Sequence, residues 1–309
     1  MAHFDFVSGD GTRLRGWRSR DDAGGVPVVI SNGLGTPPTA WPALVRADSG
    51  FRAVTWYYRG TGGSQRPVDE TAIRVEDHMA DLLALMDNEG IDKALLVCWS
   101  LGVNIAFEFA ERYPHRVAGL LAVAGVPGGT FHAMGGLLRV PRRLRHPMFV
   151  AGAKVLSAAG GSLSKAAQRI PLNWMTVNVI NHSGFMLPAA RPEVVIPALE
   201  EFRRHDFRWY FRLAVAGAEH EPMDLEFVEC PTIIVAGKWD VITGRRDLER
   251  AAARIPHAQL HILPGSHFLP LEYPNELAEL LHELARRADM EPTVVQMRSP
   301  RRTTDGARA

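Results

Sequence analysis

Two periodicities alternate along the chain. Positions 3–7 alternate polar and apolar residues and predict a strand. Gly9, Asp10 and Gly11 form a hairpin-turn signal, and 12–17 predict the returning strand. A polar turn follows at 21–25. Further strands are predicted at 28–30, 51–57, 94–98, 117–126, 232–236 and 258–263, those at 28–30, 94–98 and 232–236 as buried, with Pro27 tolerable because it stands at a strand start. Between them apolar residues recur every three or four positions. Met79, Leu82, Leu83 and Met86 mark one face of a helix over 73–89. Val103, Ala106, Phe107 and Ala110 mark a second, which runs to Tyr113 and stops at Pro114. Leu277, Leu280, Leu281 and Leu284 mark a closing helix with Arg286 and Arg287 in its last turn. Strands alternating with helices predict an α/β fold, a mostly parallel central sheet flanked by helices.

One connection is far too long for that pattern: about 100 residues separate the strand ending at 126 from the one starting at 232. The chain is therefore expected to divide into a core, 1–126 and 230–288, and a mainly helical cap inserted after the sixth strand, 127–229. Phe207, Tyr210, Phe211 and Ala214 fall on one helical face there, and apolar residues crowd 148–156 and 174–187. A cap of this composition would roof a hydrophobic pocket. Arg139, Arg142, Arg143 and Arg145 form a basic run beside Leu137 and Leu138. It reads as a solvated face, or as a weak contact with an anionic membrane surface or an acidic carrier protein. Polar, aperiodic residues after the closing helix predict a disordered tail, 289–309.

Composition narrows the function classes. A net charge of +1 over 309 residues argues against a broad nucleic-acid footprint. Cys98 ends one strand and Cys230 begins another, which places them at opposite ends of a parallel sheet; no disulfide is expected, and a cytoplasmic location fits. No leader-like N-terminus, membrane span or internal repeat is legible. No His-Glu-x-x-His or paired-cysteine ligand set is found, so a metal is not implied.

The chemistry concentrates at the corner after 94–98, where Cys98-Trp99-Ser100-Leu101-Gly102 joins a buried strand to a helix. Read alone, Ser100 is equally a helix cap or a nucleophile on a sharp turn. The stretch resembles the serine elbow of the α/β-hydrolase superfamily, with Cys98 where a second glycine is usual. Three further segments are similar to that superfamily's pattern. Ser31-Asn32-Gly33-Leu34-Gly35 occupies the place of its His-Gly loop, with Asn32 for the usual His. Arg59-Gly60-Thr61-Gly62-Gly63-Ser64 is similar to its Arg-Gly-x-Gly-x-Ser turn, read as structural with Arg59 as an anchor; it lacks the Gly-Lys-Ser/Thr ending of a phosphate loop. Asp240 and His267 each follow a predicted strand, giving the order Ser…Asp…His.

The resemblance implies an α/β-hydrolase fold and a cofactor-free serine hydrolase. Ser100 would be the nucleophile, His267 the general base and acid, and Asp240 the residue that fixes its tautomer. The backbone N–H groups of Leu34 and Leu101 would form the oxyanion hole. The implied reaction is hydrolysis of a carboxylic ester with a hydrophobic part through an acyl-enzyme. Carbon–carbon bond hydrolysis, thioesterase, lactonase, proline-iminopeptidase-like and haloperoxidase activities use the same triad and stay open. So does a non-catalytic protein that binds a hydrophobic ligand. The serine argues against the epoxide hydrolase and haloalkane dehalogenase branches, and the cap has only Tyr210 where epoxide hydrolases need two tyrosines. Asp247 is a rival acid placed in a helix, His182 and His205 are cap histidines, and Asp77 and Asp81 read as surface charges.

Overall fold

The structure, a computed structural model, describes residues 2–19, 24–46, 49–135 and 140–290. Eight strands form one sheet: β1 (Ala2–Val7), β2 (Arg13–Arg18), β3 (Val26–Ser31), β4 (Phe51–Trp56), β5 (Ala94–Trp99), β6 (Val117–Val123), β7 (Thr232–Gly237) and β8 (Ala258–Leu263). Their order is β1-β2-β4-β3-β5-β6-β7-β8. β2 runs antiparallel to both neighbours, and β4 onward is parallel.

Alternation along the central strands feeds two cores. Val29, Leu96, Cys98, Leu120 and Ile234 face one layer with α1 (Val75–Asn88), α2 (Leu101–Arg112) and α9 (Arg245–Ala252). Val28, Leu95, Val97, Leu121 and Val235 face the other, closed by α11 (Pro274–Arg287), which follows the short α10 (Leu269–Glu272). Among the described residues six helices fall between β6 and β7: α3 (Thr130–Ala133), α4 (Arg142–Ala158), α5 (Gly160–Arg169), α6 (Trp174–Asn181), α7 (Pro192–Phe202) and α8 (Phe207–Ala218). α8 packs along α4 and is tied to the sheet through Trp209, whose indole N–H donates to the Arg59 carbonyl at 2.7 Å.

Two expectations need correcting. The strand predicted over 117–126 ends at Val123, because Ala124 turns with φ +47° and Gly125 passes against the Ser100 carbonyl. Asp81 is not a surface charge; it is fully buried on α1 beside His78 and Leu85, three and four positions away on the same face. It pairs with the buried Arg59, Nη2 to Oδ1 at 2.7 Å and Nε to Oδ2 at 2.9 Å, while Arg59 Nη1 reaches Asp10 at 2.6 Å. Asp77 caps α1, accepting the Arg74 N–H at 2.8 Å.

Cys98 and Cys230 are free thiols. Among the described residues no helix is long and apolar enough to cross a membrane. Of the segment 289–309, Asp289 and Met290 are described, and Met290 packs on the second core. Residues 291–309 lie outside the described residues, as do Leu137, Leu138 and Arg139 of the basic run.

Candidate active site

Every strand that contributes to the site ends on the same rim of the sheet. β5 runs into Ser100, whose backbone takes φ +55° and ψ −120°, a conformation L-residues rarely adopt. The turn is held by close packing. A Cβ on Gly102 would stand 2.0 Å from the Ser31 carbonyl oxygen, so this position admits only glycine. Cys98 points into the first core, and burial pushes its thiol well above the ordinary range. A thiol in that setting is a poor nucleophile.

β7 delivers Asp240 and β8 delivers His267 on loops that are laced together. Lys238 N–H donates to the Leu263 carbonyl at 2.8 Å and Trp239 N–H to that of Gly265 at 2.9 Å. Asp240 Oδ1 accepts the N–H groups of Ile242 and Thr243, both at 2.7 Å. Its Oδ2 lies 2.9 Å from His267 Nδ1, and His267 Nε2 lies 2.9 Å from Ser100 Oγ. An ionised carboxylate only accepts, so the imidazole proton sits on Nδ1 and the Nε2 lone pair faces the serine hydroxyl. The Trp99 indole donates to the His267 carbonyl at 2.9 Å, which fixes the histidine loop to the elbow strand.

Leu34 and Leu101 stand beside Ser100 and His267 on the wall of one cavity of about 780 Å³. Leu101 opens α2, where its N–H has no intrahelical acceptor. Leu34 lies in the turn after β3. Asn32 clasps that turn: its Oδ1 accepts the Trp41 indole N–H at 2.6 Å, its Nδ2 donates to Thr55 at 3.3 Å, and its carbonyl accepts the Tyr58 hydroxyl. The side chain that replaces the expected histidine is therefore structural.

The rest of the cavity wall is mostly apolar, with Thr36, Thr130 and Ser183 among it, and comes largely from the segment between β6 and β7, including Phe131, Phe149, Phe185, Phe202 and Phe211. Tyr210 adds a hydroxyl, which burial pushes up to about 12 and so keeps protonated. The other singled-out residues lie elsewhere. Asp247 pairs with Arg145 at 3.3 Å and Arg250 at 2.9 Å. His182 is exposed and bonds the Asn178 carbonyl, and His205 is buried behind Tyr210. Glu272, which sequence reasoning did not single out, accepts from the residue before His267; an acidic residue in a short helix carries no signal of that duty.

The sequence profile of the alpha/beta hydrolase fold family matches residues 26–274. The chain belongs to the α/β-hydrolase family. It is 28% identical over 255 residues to a protein of Caulobacter sp. (strain K31) described as the carbamate hydrolase RutD, covering 78% of this chain and 83% of that one. It is 25% identical over 289 residues to the 2-hydroxy-6-oxononadienedioate/2-hydroxy-6-oxononatrienedioate hydrolase of Burkholderia vietnamiensis, covering 90% and 93%. The crystal structure of the enol-lactonase from Burkholderia xenovorans superposes with a TM-score of 0.72 at 19% identity, covering 92% and 100%.

Proposed function

We propose that this α/β-hydrolase is a serine esterase that cleaves carboxylic esters with a hydrophobic acyl or alcohol part. The observation that carries the reading is the hydrogen-bonded chain Asp240–His267–Ser100 at the wall of a large apolar cavity. Ser100 Oγ attacks the ester carbonyl carbon while His267 Nε2 takes its proton. The N–H groups of Leu34 and Leu101 hold the oxyanion; a single donor of this kind is worth roughly 2.7–4 kcal/mol in a protease. His267 then gives the proton to the leaving alcohol, and an acyl group stays on Ser100. Water, deprotonated by the same imidazole, attacks the acyl-enzyme, and the acid leaves as the serine recovers its proton. Asp240 stabilises the imidazolium at each stage.

The helices between β6 and β7 act in this reading as a cap that selects apolar substrates. Among the described residues no lysine or arginine lines the cavity, so a substrate carboxylate would be buried without a counter-charge. That separates the reading from the dicarboxylate named for the Burkholderia vietnamiensis relative. The test is turnover of p-nitrophenyl esters from acetate to palmitate by wild type and Ser100→Ala. Ser100-dependent hydrolysis with an optimum above acetate is expected. Undiminished turnover by Ser100→Ala would remove the nucleophile. No turnover and no fluorophosphonate labelling of Ser100 would leave a ligand-binding protein.

A further inference from the structure

We propose that the outer face of α4 and α6 docks on an anionic phospholipid bilayer, with the cavity mouth against the lipid. Leu144, Met148 and Val155 recur along one solvent-facing stripe of α4, where apolar residues normally turn inward. Trp174 and Met175 stand out from the start of α6, with Trp174 66% exposed. These side chains adjoin the cavity entrance, since Leu156 of α4, Val179 of α6 and Phe185 are each exposed and each line its wall.

Charge identifies the occupant. Positions 112–192 contain no aspartate or glutamate, yet α4 and α5 carry Arg142, Arg143, Arg145, Lys154, Lys165 and Arg169. Arg143 and Lys154 lie about three turns apart along one edge of the apolar stripe. Arg145 is drawn inward to Asp247, but Arg143, Lys154, Lys165 and Arg169 are exposed and, among the described residues, carry no ion pair. A helix with exposed apolar residues flanked by cations, and a Trp beside it, matches the boundary between headgroups and acyl chains. A second copy of this chain fits poorly, because a two-fold contact would set the same cations against each other. An acidic protein would answer the charge and leave the apolar stripe unmatched. The docking stands on these observations alone; the further consequence, that neutral esters enter the cavity from the bilayer, rests on the esterase reading.

Flotation of the full chain with phosphatidylcholine vesicles, with and without phosphatidylglycerol, tests the docking. Binding to the anionic vesicles should be at least about tenfold tighter at low salt, and high salt should abolish the difference. Tryptophan emission should shift to the blue on binding, a shift that Trp174→Phe removes. Met148→Glu/Val155→Glu/Trp174→Glu changes exposed positions outside the cavity wall, so it should keep ester turnover and lose vesicle binding. Ser100→Ala should bind like wild type, which separates failure of the docking from failure of the esterase reading. The proposal is overturned by no preference for anionic vesicles, by undiminished binding of the triple variant, or by self-association that leaves the chain at the bottom of the gradient with vesicles present.

Discussion

Glu272 holds Ser266 by both of its donors, accepting the backbone N–H at 2.7 Å and the hydroxyl at 2.6 Å. Ser266 immediately precedes His267, so the buried carboxylate sets the path of the histidine loop. The same carboxylate accepts the Leu187 N–H at 2.7 Å, which ties the segment after α6 to that loop. One side chain thus joins the wall of the cavity to the imidazole.

All three of these partners donate, and Glu272→Gln can offer only one acceptor oxygen. Whichever way the amide turns, its NH₂ faces a backbone N–H, at Ser266 or at Leu187. We expect a loss of about 1–3 kcal/mol in stability, the cost of a buried donor left unpaired. The rate of fluorophosphonate labelling of Ser100 should fall with it, since His267 loses its support. Urea melts and labelling kinetics check both; a variant with wild-type labelling would confine Glu272 to stability.

Asp240→Asn has a sharper consequence. The side-chain oxygen must stay on the Ile242 and Thr243 N–H groups, so the new NH₂ faces His267 Nδ1. Nδ1 then accepts, the imidazole proton moves to Nε2, and no lone pair is left for the Ser100 hydroxyl. By analogy with the serine proteases, kcat should fall about 10⁴-fold with the fold intact. Ester turnover and a thermal melt, measured together, decide it. Near-wild-type turnover would take the acid role away from Asp240.

Asp81→Asn should act on stability alone. Burial opposes the Asp81 charge, yet hydrogen bonds from His78 and Arg59 outweigh it and hold the carboxyl below its ordinary value. Its contribution is therefore complete above the unfolded value of about 3.9 and is lost as pH falls through the lower folded one. The asparagine leaves the buried Arg59 without its main partner, a loss of about 3–5 kcal/mol at neutral pH. Denaturant midpoints at neutral pH measure it, and kcat of the folded fraction should stay within about threefold of wild type.

What the sequence made legible, and what it hid, follows from the range of the interactions. The eight strands could be read because alternation, turn signals and apolar runs are local, and the strand ends that bring Ser100, Asp240 and His267 together could be read with them. The end of β6 is not legible because Ala124 and Gly125 are as apolar as the strand; the neighbouring Ser100 turn is what turns the chain away there. Asp81 looked like solvent-facing charge because its partner Arg59 is 22 positions away. The roles of Asn32 and Glu272 likewise depend on which loops meet, and no periodicity records that.

His205 offers a pH test of the same packing. Its Nδ1 donates to the Phe202 carbonyl at 2.6 Å, and its Nε2 is buried with no partner among the described residues. Burial is the main reason its pKa lies below the ordinary value, partly opposed by the Phe202 carbonyl and Glu201. The unfolded chain thus takes up the proton first as pH falls. Stability is complete above about 6.5 and declines below it, toward the depressed folded value. Burial lowers His3 and His282 as well, with the same sign. We expect the melting temperature to fall between about pH 7.5 and 5.5, before most carboxylates titrate. In His205→Phe the ring still packs against Phe202 and Tyr210, so the fall should be smaller even if the starting stability is lower. Equal slopes in the two proteins would mean that His205 is protonated in the folded chain as readily as in the unfolded one.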